Sequence, residues 1–137
     1  MTPDEYLAFE ERSPVRHEYV DGYVYAMSGT RRRHNRILLN VARRLMAAAD
    51  GGPCDVFVTD LKVRADETKY YYPDVGVTCG QPDDEVLTIT DPCLVVEVTS
   101  PSTRVMDHRE KLAAYTRVPT LRAYLIAEAD RPEVYRH

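Results

Sequence analysis

The chain has 137 residues, 44% apolar and 29% charged, which suits one domain with a buried core and excludes a disordered, fibrous or mucin-like chain. No apolar run approaches the roughly 20 residues needed to span a bilayer, and the acidic N-terminus lacks a secretory signal's pattern, so a cytoplasmic protein without a membrane partner is expected. The net charge of -4 excludes an overall basic field, yet residues 30–49 hold six arginines (Arg31, Arg32, Arg33, Arg36, Arg43, Arg44) and no acid.

Taken in chain order, Thr2, Pro3 and Glu5 form a capping-box start for a short helix that should end near Ser13 and Pro14. Asp21 and Gly22 split a tyrosine- and valine-rich stretch into a hairpin. Ile37, Val41, Leu45 and Ala48 recur at helical spacing and leave the arginines on the other face, with Gly51, Gly52 and Pro53 as the stop. Val56 and Val58 alternate with polar residues, and Leu61 and Val63 resume one step out of phase, which predicts a strand bulged near Thr59 or Asp60. Residues 70–79 read as a strand, 80–92 as a loop, and 93–99 as a strand buried on both faces. A helix over 105–117, a strand over 121–127 and a last one from Val134 and Tyr135 complete the chain. Cys54, Cys79 and Cys93 are odd in number and form no CxxC pair, so three reduced, mostly buried thiols are expected. The fold class is α/β or α+β, with a mixed central sheet, largely an antiparallel meander, flanked by helices.

The informative residue is Glu97, an acid inside Leu94-Val95-Val96-Glu97-Val98. A buried carboxylate is costly unless paired, hydrogen-bonded or metal-bound. If strands 70–79 and 93–99 are antiparallel partners closed at Cys79 and Cys93, Asp74 stands opposite Val98, and a shift of one residue puts it beside Glu97. Two such carboxylates repel and invite a cation, and oxygen-only ligation favours Mg²⁺ or Mn²⁺. The competing reading makes Asp74 a turn residue and pairs Glu97 with an arginine. Lys111 shares a helical face with Asp107 and Tyr115, a spacing that equally describes a surface Asp107–Lys111 ion pair. Glu18 is either a third ligand or an exposed strand end. His34 is a phosphate contact or acid, or else structural. Lys62 either reaches the cleft or is an exposed strand lysine. The arginines form either a solvated face or a phosphate-neutralising one.

In order along the chain stand His17-Glu18-Tyr19-Val20-Asp21-Gly22, Ala26-Met27-Ser28-Gly29, His34, Tyr72-Pro73-Asp74-Val75, the Glu97 strand, Ser100-Pro101-Ser102-Thr103, Asp107, Lys111 and Tyr115. Together they resemble the Uma-type restriction endonuclease family of the PD-(D/E)XK nuclease superfamily. The resemblance covers nearly the whole chain and implies a single restriction-endonuclease-like domain over 1–137, short at its C-terminus. It implies a metal-dependent endonuclease acting on nucleic acid, DNA above all. Asp74 and Glu97 would be the metal ligands for Mg²⁺ or Mn²⁺, with Glu18 completing the site. The superfamily's lysine position holds Thr99 here, so Lys111 is the expected catalytic substitute. Arg31, Arg32, Arg33, His34 and Arg36 are the expected nucleic-acid contacts, and a homodimer is compatible with cutting two strands. The alternative is a catalytically inactive nuclease-fold module that binds nucleic acid or protein.

Overall fold

The computed structural model describes residues 1–27, 29–80 and 83–137. Ser28 of the 26–29 motif, and Gln81 and Pro82 of the expected 80–92 loop, lie outside the described residues.

Helix α1 (Pro3–Arg12) starts at the predicted cap, where the Glu5 N–H donates to Thr2 Oγ1 at 3.2 Å, and stops at Ser13 ahead of Pro14. It seats Tyr6 against Tyr19 and Tyr70, all three buried. Strands β1 (His17–Val20) and β2 (Tyr23–Ala26) form the predicted hairpin, turning on Asp21 (φ 50°) and Gly22 (φ 98°). A two-residue turn that matches strand twist requires this left-handed backbone at both positions, which Asp and Gly tolerate best. Helix α2 (Arg32–Ala49) sets Leu38 and Ala42, with Ile37, Val41 and Leu45, on Val75, Val96 and Val98. Its arginines remain exposed.

The phase slip after Val58 is not a bulge. Strand β3 (Asp55–Val58) pairs with β6 (Val75–Thr78), whereas β4 (Lys62–Asp66) pairs with β5 (Lys69–Tyr71) in a different sheet. The chain changes sheets through Thr59, at φ 20°, so the two valine pairs alternate about different planes. The expected strand over 70–79 divides for the same reason. Pro73 cannot donate to a ladder, and the chain crosses from β5 back to the β6 sheet through Tyr72, Pro73 and Asp74.

The remaining strands are β7 (Thr88–Ile89), β8 (Pro92–Thr99), β9 (Ala123–Glu128) and β10 (Val134–Arg136). Sheet one has the order β2-β1-β5-β4-β7 and sheet two the order β10-β9-β8-β6-β3. Pairing is antiparallel across β3, β6 and β8, as the meander predicts, but β8 and β9 are parallel. Their crossover carries a π-helical turn (Met106–Lys111) that runs into α3 (Leu112–Tyr115), where a regular helix over 105–117 was expected. Val63, Tyr71, Val95, Tyr115, Tyr124 and Ile126 fill the main core. β8 is central and buried on both faces, as its apolar run predicts. Gly76 is paired with Phe57 across β6 and β3, and a Cβ at Gly76 would run into the Phe57 ring.

The reading of three reduced, mostly buried thiols is corrected. The β3–β6 register sets Cys54 opposite Cys79, and the two form a disulfide, while Cys93 Sγ lies 3.3 Å from Cys79 Sγ. Cys79 is exposed, and Cys54 and Cys93 are half-buried. Among the described residues no helix is long and apolar enough to cross a membrane.

Candidate active site

The site lies where the two sheets part company. The chain must leave sheet one at Tyr71 and enter sheet two at Val75, which leaves Asp74 just before β6. The β6–β8 register pairs Val75 with Val96 and Gly76 with Val95, so the next step sets Asp74 beside Glu97. This is the one-residue alternative to the expected register. Asp74 Oδ2 accepts the Val98 N–H at 2.7 Å and lies 3.3 Å from His34 Nε2 on α2. It is more than a turn aspartate: a strand amide and a helix side chain both hold it.

Among the described residues Glu97 meets a lysine and no arginine. Lys111 Nζ stands 3.5 Å from each of three carboxylate oxygens, Glu97 Oε2, Glu18 Oε1 and Asp107 Oδ1, and 5.4 Å from the centre of the Tyr71 ring. The reading of Asp107–Lys111 as a surface pair is corrected, because both are buried, at 2% and 7% exposure. The π turn presents them to the cleft from across the crossover, and Tyr124 Oη donates to the Asp107 carbonyl at 2.9 Å. Glu18 arrives from sheet one, its Oε2 accepting the Tyr72 N–H at 2.9 Å, so it is no exposed strand end. The four side chains expected to be catalytic, Asp74, Glu97, Lys111 and Glu18, line one cleft of about 650 Å³ together with His34 and Asp107.

The cleft holds more negative charge than its cations offset. Burial pushes the Glu97 carboxyl well up, Lys111 pulls it back, and Asp74, Asp107 and Glu18 push it further up. Burial likewise raises Glu18 against the pull of Lys111. Desolvation alone would lower the Lys111 ammonium, but Glu97, Glu18, Asp107 and Asp74 together carry it upward, so it stays charged. The hydrogen bond to Asp74 raises His34. Glu97 Oε1 and His34 Nδ1 are buried with no hydrogen-bond partner among the described residues. Leaving a buried acceptor unsatisfied costs roughly 1–3 kcal/mol, more for a charged one, and such groups mark a missing ligand or a functional strain. No three His, Cys, Asp or Glu side chains close round a single point among the described residues, since Lys111 stands between Glu18 and Glu97. The donors are all oxygens, the set that suits Mg²⁺, which keeps several of its waters and takes one or two carboxylates.

Other predicted residues fall elsewhere. Arg31 and Arg33 line a cavity adjoining the cleft, whereas Arg32 and Arg36 are exposed on α2 and line neither. Lys62 is buried away from the cleft and donates to the Leu87 carbonyl at 3.1 Å, so neither reading of it holds. Thr99 is buried, its Oγ1 3.2 Å from Thr103 Oγ1, and the only cation at the carboxylates among the described lysines and arginines is Lys111. Sequence reasoning missed Asp107 as a site residue, although its four-residue spacing from Lys111 was the available signal.

Comparison with known proteins bears on the family and the fold. Residues 3–137 match the model of the Uma2 family, described as "Putative restriction endonuclease". The uncharacterized protein slr1290 of Synechocystis is 42% identical over 137 residues, covering 98% of this chain and 72% of the relative. A second Synechocystis protein, the uncharacterized sll1609, is 31% identical over 132 residues, covering 93% and 75%. A crystal structure of a protein from Anabaena variabilis, described as a "putative nuclease belonging to DUF820", superposes with a TM-score of 0.79 at 16% identity, over 99% of this chain and 83% of that one. The fold is thus shared with the protein described as a "putative nuclease", and the match along almost the entire sequence shows that this chain belongs to the Uma2 family.

Proposed function

We propose that the protein is a divalent-metal-dependent nuclease that hydrolyses phosphodiester bonds in nucleic acid, with DNA as substrate. The observation that carries this reading is the Asp74–Glu97 pair on adjacent strand positions, with Glu97 Oε1 buried and unpartnered in an over-acidic cleft. Asp74 and Glu97 would hold Mg²⁺ or Mn²⁺, with Glu18 at the same cleft on the other side of Lys111. Bound there, such an ion supplies positive charge at the scissile phosphate and acidifies a coordinated water.

The protein's own groups set the geometry. The Val98 and Tyr72 amides fix the carboxylates of Asp74 and Glu18, which pre-organises them at no cost during reaction. Lys111 holds Glu18, Glu97 and Asp107 about itself and sets its positive charge beside the place where charge would develop on the phosphate. His34 steadies Asp74 from α2, and the arginines at the head of that helix draw phosphate toward the cleft. Asp74→Asn should abolish Mg²⁺-dependent cleavage of DNA while the protein still folds. Undiminished cleavage by that variant would overturn the reading.

A second reading, an inactive module of the same fold, draws on the way Lys111 is shared among three carboxylates while Thr99 occupies the superfamily's lysine position. It predicts DNA binding without cleavage at any concentration of Mg²⁺ or Mn²⁺.

A further inference from the structure

The carboxylate cleft shares its Gly29, Thr30, His34, Ser100 and Ser102 walls with a second cavity of about 550 Å³ to which Asp74, Glu97, Glu18 and Lys111 do not contribute. Its chemistry is the opposite of its neighbour's. Arg31 and Arg33 enter from the head of α2, and Ser100 and Ser102 from the loop that leaves β8 directly after the Glu97 strand. The two serine hydroxyls lie 3.0 Å apart, and Ser100 Oγ is 3.3 Å from Thr103 Oγ1, so they form a chain of rotatable O–H donors. The first turn of α2 has no acidic residue and no side-chain cap, which adds unsatisfied amide donors at the same end. One carboxylate is present. Asp130 Oδ1 lies 3.4 Å from Arg33, but both side chains are substantially exposed, and a phosphate can take that guanidinium from it.

We propose that this cavity binds a phosphate of the nucleic-acid strand next to the one held at the carboxylates. The inference rests on the nuclease reading and deepens it. The substrate class becomes a polynucleotide whose strand engages two successive phosphates, and small phosphodiesters lacking the second are poor substrates. Guanidinium and hydroxyl donors contact phosphate oxygens without reading bases, so this pocket contributes register and affinity but no sequence preference.

The test is fluorescence anisotropy with a labelled single-stranded DNA oligonucleotide in EDTA, at several salt concentrations. The proteins are wild type, Arg31→Ala, Ser102→Glu and, as a charge-matched control, Arg122→Ala, whose exposed side chain comes just before β9, at the opposite end of that strand from Ala129 and Asp130. Arg31→Ala and Ser102→Glu are expected to weaken binding about tenfold or more, with the Arg31 variant lowering the salt slope by about one, while Arg122→Ala stays within about twofold. Equal losses in Arg31→Ala and Arg122→Ala, or no binding by wild type at low salt, would overturn the pocket. Because metal is absent, this outcome is separable from the nuclease reading. A selective Arg31 effect in a protein that never cleaves keeps the pocket and removes the nuclease, and cleavage without a selective effect does the reverse.

Discussion

Two glutamates lie buried on neighbouring strands, each 4% exposed, and their surroundings differ in a way that separates structure from function. Glu128, at the end of β9, accepts from Arg104 Nη2 at 3.0 Å and Nε at 3.2 Å, and sits 3.3 Å from His108 Nε2. Burial would raise its carboxyl, but these hydrogen bonds hold it below the usual value. Glu97, in the middle of β8, shares a single lysine with two other carboxylates, leaves one oxygen without a partner and is pushed well up. A protein that needed an acid at 97 only for stability would have partnered it as it partners Glu128. The unmet demand at Glu97 is what the proposed cation would satisfy.

The comparison can be broken most sharply by removing each carboxylate in turn. Glu97→Gln should lower metal-dependent cleavage by about 10³-fold or more, since it would remove a ligand of the proposed ion. The same change should leave the melting temperature of metal-free protein unchanged or raised, because it deletes a buried charge that is poorly compensated. Both effects are read by a plasmid-nicking assay and a thermal melt in EDTA.

The reverse pattern is expected at the other glutamate. Glu128→Ala should cost about 2 kcal/mol in urea unfolding, less than the roughly 3–5 kcal/mol of a fully buried broken pair because Arg104 and His108 retain access to water. Cleavage per folded molecule should survive. A variant that folds with wild-type stability would show that the Arg104–Glu128–His108 cluster contributes nothing.

Stability should also respond to pH with opposite signs at the two sites. The raised Glu97 carboxyl binds its proton more tightly in the folded chain, so its contribution is complete below the unfolded value and is lost as pH rises through the higher folded one. The lowered Glu128 carboxyl contributes above the unfolded value and loses that contribution as pH falls through the folded one. In metal-free protein, urea midpoints from acid to neutral pH should show both arms. Glu97→Gln should flatten only the one above the usual carboxylate range. The smallest effect belongs to Arg131, whose Nη2 is 4.0 Å from Glu128 Oε1 on a half-exposed side chain. Arg131→Ala should change stability by less than about 1 kcal/mol.

This contrast also explains which residues could be read in advance. Glu97 was legible because an acid interrupts an otherwise apolar run, and its environment is set by the strand itself. Glu128 was not, since Ala127-Glu128-Ala129-Asp130 looks like a strand running out into solvent, and Arg104 and His108 reach it from twenty or more residues away. The helices and the first hairpin declared themselves through caps, the Asp-Gly turn and helical spacing, all local signals. Alternation with period two cannot distinguish a bulge from a change of sheet, so β3 and β4 read as one strand, as did β5 and β6. Cys54 and Cys79 are 25 residues apart, and only the β3–β6 register makes them neighbours. Lys111 and Asp107 had the right spacing, but their burial depends on the crossover folding back over β8.

The central claim, that Glu97 is held in readiness for a divalent cation, is tested most directly by calorimetric titration of Mn²⁺ into wild-type protein and Glu97→Gln. Saturable binding to wild type that is lost in the variant is the predicted result. Absence of binding to wild type, or equal binding to both proteins, would contradict it.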